Sequence, residues 1–127
     1  MANTVTKTSI TDGARGGVLH LYLASDGSTG ELSNTVVLDA SALEGGDNIK
    51  SIVSVKSSLV GFSATLEFDA TADVPAVVLP AGEADQDFSY APIPNTAGSG
   101  ITGDVTITTA GFTASGDVGT VTIHYRK

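Results

Sequence analysis

The chain contains no cysteine, no tryptophan, one methionine and four prolines in 127 residues. Without thiols there is neither a disulfide framework nor a thiolate metal site. Positive charge is also scarce. Six Lys and Arg stand against 14 Asp and Glu, for a net charge of −8 and a pI of about 4.3. Such a surface repels phosphate backbones and anionic lipid, which argues against nucleic-acid and membrane partners. No apolar run approaches the roughly 20 residues that span a bilayer. The stretch Met1 to Thr11 carries Lys7 but no apolar core of signal-peptide length, so the expectation is a protein made and used without Sec export. Strong helix formers are few, and most alanines stand beside Gly, Ser, Thr or Asp. Long helices are therefore not expected.

What remains is rich in Gly, Thr, Ser and Val. Hydrophobic residues make up 41% and Gly contributes 15 residues, enough apolar material for one core and one domain over 1–127. Apolar residues alternate with polar ones at the strand period of two. Leu19, Leu21 and Leu23 share one face of a strand, with Val18, His20 and Tyr22 on the other. Phe62, Ala64, Leu66 and Phe68 form a second inward set, and Val121, Ile123 and Tyr125 a third. Further strands are expected at Val5–Ile10, Thr35–Asp39, Ile49–Val55, Ala76–Leu79, Phe88–Ala91 and Val105–Thr108. Turn chemistry falls between these runs, at Asp12-Gly13, Gly16-Gly17, Asp26-Gly27, Gly45-Gly46, Pro80 to Gly82 and Pro94-Asn95. The spacing predicts an all-β fold: a single-domain antiparallel β-sandwich or jelly-roll-like barrel of about eight or nine short strands. Residues 1–11 are either an edge strand or an arm that adds a strand to a neighbour. One helical turn is expected at Ser41 to Glu44, as a capping box. Gly103-Asp-Val105 and Gly116-Asp-Val118 echo each other, as two strands of one hairpin with similar entry turns would.

Catalytic constellations are not evident. The two histidines, His20 and His124, sit mid-strand opposite the main apolar set, with no motif supplying a nucleophile and an orienting carboxylate. Gly13 to Gly17 and Gly98-Ser-Gly100 lack the Lys-Ser/Thr of a phosphate loop and read as turn glycines. Glu83, Asp85 and Asp87 alternate within 82–89. Alternating acids in an irregular loop can converge on Ca²⁺, but the segment lacks the EF-hand pattern and reads more simply as a solvated acidic loop. Aromatics are too few, and Phe62, Phe68 and Tyr125 too committed to the core, for a sugar platform. The reading is thus of a non-enzyme with no cofactor and no assigned metal ligand. The candidate interface comprises Val5, Lys7, Val18, His20, Tyr22 and His124, on the N-terminal stretch and on a partly apolar second face.

Several stretches resemble small virion structural proteins of tailed bacteriophages. They are Met1 to Thr8 (MANTVTKT), Tyr22 to Leu32 (YLASDGSTGEL), Val37 to Ser41, Gly61-Phe62 with Leu66 to Pro75, Leu79-Pro80, Gly103-Asp104 and Arg126-Lys127. The resemblance implies a β-rich decoration or cement protein, made in the host bacterial cytoplasm and placed on the capsid exterior. It would bind the major capsid protein, often as a homo-oligomer such as a trimer, and stabilise the lattice by binding only its assembled form. The acidic charge agrees with the outside of the head rather than with packaged DNA. Rival readings are a tail, fibre or head-to-tail connector component, a glycan- or Ca²⁺-binding module, and, last, a hydrolase.

Overall fold

A computed structural model describes residues 3–13, 15–28, 30–39, 49–71, 73–96 and 103–127. The described residues form ten strands: β1 (Thr4–Asp12), β2 (Gly16–Ala24), β3 (Thr35–Leu38), β4 (Ser51–Val60), β5 (Ser63–Phe68), β6 (Val74–Leu79), β7 (Gly82–Asp87), β8 (Ile93–Pro94), β9 (Val105–Ala110) and β10 (Val118–Arg126). They build two antiparallel sheets. The larger, sheet A, runs β1-β2-β10-β4-β7, with the short β8 also pairing β4; sheet B runs β3-β9-β5-β6. Ser41 to Glu44, Gly45-Gly46 and Gly98 to Gly100 lie outside the described residues.

Alternation explains which side of each strand is buried. In β2, Leu19, Leu21 and Leu23 are buried while Val18, His20 and Tyr22 are not. Val121, Ile123 and Tyr125 of β10 follow the same rule, as do Ala64, Leu66 and Phe68 of β5 with Phe62 just before it. These residues, with Ile52, Val55 and Leu59 of β4, Val77 and Leu79 of β6, and Val105 and Ile107 of β9, form one cluster shared by both sheets. Burying apolar side chains at about 25 cal/mol per Å² is the main force holding the sheets together. Phe62 and Phe112 close one end of the core, with ring centroids 4.5 Å apart and tilted by 56°.

Close approach requires glycine at Gly61 and Gly17, among other positions. Gly61, at φ +85°, makes the corner by which the chain passes from β4 in sheet A to β5 in sheet B, and a Cβ there would overlap Asp117 Oδ1. Gly17 lies so close to β1 that a Cβ would overlap the Thr11 carbonyl and come within 2.7 Å of the Tyr125 hydroxyl.

Three expectations need correction. Residues 82–87 are not a loop but the strand β7, drawn into the sheet by pairing along β4 from Ser54 to Leu59. Phe88–Ala91 is not a strand but a turn, closed by the Ala91 amide donating to the Phe88 carbonyl at 2.9 Å. The echoing segments do not form a hairpin, because β9 lies in sheet B and β10 in sheet A. The N-terminal stretch is the edge strand of sheet A, paired in the domain from Thr4↔Ala24 to Asp12↔Gly17 with a bulge between Ser9 and Thr11.

Candidate functional site: the outer face of sheet A

Register fixes what the outward side of sheet A displays. One row across the strands reads Thr6, Tyr22, Thr120, Ser58, Glu83; the next reads Thr8, His20, Thr122, Lys56, Asp85. A third places Val18, His124, Ser54 and Asp87 side by side. The face is therefore a field of short hydroxyl side chains with Tyr22, two imidazoles and Val18 set into it. Its β7 margin is acidic. His20 Nδ1 and Thr122 Oγ1 share a hydrogen bond of 2.9 Å, which holds the ring against β10. Tyr22 is 41% exposed.

Two shallow depressions run along this face and share Lys56 and Asp85. One, of about 470 Å³, lies among Lys56, Ser58, Glu83, Asp85, Thr120 and Thr122. The other, of about 430 Å³, continues past Ser54 and Asp87 to His124 and Arg126. Asp87 accepts a hydrogen bond of 2.9 Å from the Ser89 amide. That bond, the Ser89 hydroxyl and the charge of Lys56 hold the Asp87 carboxyl below its usual pKa, against a small desolvation effect.

The six candidate interface residues divide between the two sides of the sheet. Val18, His20, Tyr22 and His124 stand together on the outer face, in adjacent strands. Val5 and Lys7 pair with Leu23 and Leu21 and so lie on the inward side of β1. Val5 packs against the core, and Lys7 Nζ reaches the Val36 carbonyl of β3 at 3.5 Å. Glu83, Asp85 and Asp87 all point outward from one strand. Alternate residues there are spaced by about 6.7 Å, so they form a line rather than the converging cage of a calcium loop. Among the described residues no group of three or more His, Asp or Glu is placed to hold a metal ion.

Sequence reasoning missed the residues that shape the ends of the sheets. At the end where β2 finishes, Glu31 accepts hydrogen bonds from the Gly111 and Phe112 amides and the Thr109 hydroxyl, at 2.8, 2.9 and 2.8 Å. Desolvation pushes the Glu31 carboxyl up, but the bonds from Phe112, Thr109 and Gly111 together outweigh it and leave the pKa lowered. Asp117, buried, accepts from the Thr113 and Ala114 amides at 3.1 and 3.0 Å. At the opposite end Lys127 Nζ donates to Asp12 Oδ1 at 2.6 Å and to the Gly13 carbonyl at 2.8 Å, with its side chain only 1% exposed. Burial raises the pKa of the neighbouring Tyr125 hydroxyl, and the Asp12 charge adds to the rise.

Comparison with protein-family models, curated proteins and solved structures finds no match to this chain.

Proposed function

We propose that the protein is a non-enzymatic binding module whose outer sheet-A face docks on a protein lattice. The resemblance of its sequence to small virion proteins supports a tailed-phage particle as that lattice. On this reading the two sheets are the layers of an open β-sandwich, and the module decorates the exterior of the head, contacting the major capsid protein as a homo-oligomer. The observation that carries the docking reading is the composition of the face: Thr6, Thr8, Thr120, Thr122, Ser54 and Ser58 surround Tyr22, His20, His124 and Val18. Ser and Thr lose less rotamer freedom on burial than Lys or Glu, and tyrosine brings large contact area at low entropic cost. An open surface of this kind, with only shallow depressions, suits a protein partner better than a small molecule, which needs an enclosing pocket.

Binding only the assembled lattice would stabilise it by mass action. The test is to locate and count the polypeptide in purified particles, by quantitative gel analysis with electron cryomicroscopy. Many copies over capsid-subunit junctions, with sheet A inward, is the expected result. A few copies on the tail axis would replace it with the connector or fibre reading, and absence from particles would sink the virion assignment.

A further inference from the structure

The scarce cations are not spread over the molecule. Of the six Lys and Arg residues, Arg15, Lys50, Arg126 and Lys127 gather at the end of sheet A where β1 turns into β2. The Lys127 amide donates to the Arg15 carbonyl, the Lys50 amide to the Arg126 carbonyl, and Arg126 pairs with Gly16 and Ser51 across the sheet. Lys127 is consumed by Asp12. The other three are exposed, and none of them makes an ion pair with a described residue. In a chain with 14 acids and a net charge of −8, three cations without an ion-pair partner among the described residues give this end of sheet A a basic margin, while Asp39, Asp69, Asp73 and Asp104 stand at the same end of sheet B.

Two of them border one small hollow. Arg15 and Arg126, with His124, surround a depression of about 260 Å³ floored by the backbone of Gly16 and Gly17. Neither glycine has room for a side chain: a Cβ on Gly16 would overlap the Tyr125 carbonyl, and one on Gly17 the Thr11 carbonyl. Arg126 and His124 also line the neighbouring depression on the outer face, so the hollow is continuous with the proposed docking face.

We infer that this hollow is an oxyanion site, with Arg15 and Arg126 receiving a carboxylate side chain from a protein partner as the outer face docks. The inference rests on the docking reading and adds the chemistry of the partner at one end of the interface. Guanidinium groups bind carboxylate and phosphate through paired, charge-assisted hydrogen bonds, so local chemistry alone admits either. The wider field separates them. A nucleic acid brings a continuous run of phosphates that meets the whole negative molecule. A single carboxylate on a mixed protein surface meets chiefly what lies within a Debye length, about 8 Å at physiological ionic strength: Arg15, Arg126 and His124 at the hollow, with the nearby Asp12, opposite Gly17, already engaged by Lys127.

The site is tested on the isolated ¹⁵N-labelled protein by following amide shifts of Gly16, Gly17, Val18 and Arg126. The probes are a short glutamate-rich peptide, inorganic phosphate and a single-stranded oligonucleotide. Saturable shifts with the peptide, weakened about tenfold or more by R15Q/R126Q and unchanged by K7Q, on the inward side of β1, are expected; phosphate should compete for the same residues. Arg15 and Arg126 are exposed, so unchanged spectra elsewhere will show that the double variant is folded. No saturable shift with the peptide, or full retention in R15Q/R126Q, overturns the inference. Binding of phosphate without the peptide, or tighter binding of the oligonucleotide, overturns the carboxylate partner. Because this readout needs no particle, its failure is separate from failure of the copy-number test: a module found on the capsid but blind to the peptide would lose only this site.

Discussion

The two ends of the molecule use charge in opposite ways. At the end where β2 and β4 finish, the loops carry Asp26, Glu31 and Asp117, and none of the six Lys or Arg residues. These carboxylates are neutralised by the backbone instead. Asp26 caps the Ser28 amide, Glu31 holds 111–112, and Asp117 holds 113–114. At the other end most of the cations assemble, one ion pair is closed, and Arg15, Lys50 and Arg126 have no ion-pair partner among the described residues. Charge that is fully used within the fold stabilises it. Charge that is left over is available to something else. The first end is therefore best broken by stability measurements and the second by binding measurements.

The largest stability effect is expected at the corner that brings β4 over to β5. Gly61→Ala combines a left-handed backbone at φ +85° with a Cβ that overlaps Asp117 Oδ1, so it strains the corner and dislodges the brace together. A loss of about 3 kcal/mol is expected in urea unfolding. Gly116→Ala, in the same loop region but with open space around its Cβ, should change stability by no more than about 0.5 kcal/mol. Equal effects at the two glycines would show that the loop, and not the carboxylate brace, is what the corner needs.

At the cationic end, Asp12→Asn leaves the Lys127 ammonium, 1% exposed, without its carboxylate. Removing one partner of a fully buried pair costs about 3–5 kcal/mol. Asp12 is 24% exposed, so water relieves part of that and about 2 kcal/mol is expected. The same variant should leave the docking face intact, since Asp12 lies on the inward side of β1, opposite Gly17. If Asp12→Asn weakened peptide binding at Arg15 and Arg126 as much as it weakened the fold, the distinction between used and spare charge at this end would collapse.

The division between ends was not legible in the sequence, for a physical reason. Strands with a strict apolar alternation, β2, β5 and β10, were readable because burial on one side imposes the period. β7 was not. Gly82-Glu-Ala-Asp-Gln-Asp87 has no β-branched or aromatic residue and low strand propensity; its place is set by β4, whose length from Ser51 to Val60 offers a full ladder. Phe88–Ala91 misled in the opposite sense, because an aromatic pair reads as strand where a turn is made. The outer-face set Val18, His20, Tyr22 and His124 was readable, since alternation assigns faces without knowing strand order. Val5 and Lys7 could not be separated from that set before the β1–β2 register was known. The Glu31 brace joins residues about 80 positions apart, such as Glu31 and Phe112, and no local pattern announces such a contact.

A smaller effect concerns Glu31 alone. Glu31→Gln keeps the shape but replaces a charged acceptor by a neutral one for the Gly111 and Phe112 amides and the Thr109 hydroxyl. Glu31 is itself exposed, so water compensates in part, and a loss of about 1 kcal/mol is expected near neutral pH. Glu31→Ala should cost somewhat more, because it leaves the Phe112 amide with no side-chain acceptor.

The finest comparison uses pH. Glu31 and Asp87 both have carboxyl pKa values lowered by hydrogen bonds, one at each end of the sheets. A carboxyl with a lower pKa in the folded than in the unfolded protein contributes its full stabilisation above the unfolded value. That value is about 4.5 for Glu31 and 3.8 for Asp87. The contribution is lost as pH falls through the lowered folded value. Stability should therefore fall on acidification below about pH 4.5 through Glu31, and the Glu31→Gln variant should lose part of that acid slope. Asp87 shifts in the same direction but sits on a fully exposed margin, where solvent and salt screen its partners. Asp87→Asn should thus leave the slope nearly as it was, and added salt should remove only the small part owed to the Lys56 charge. A slope that depended on Asp87 more than on Glu31 would mean that the acidic margin of β7, rather than the braced loops, governs the response to acid, and would make that margin the next surface to test for a partner.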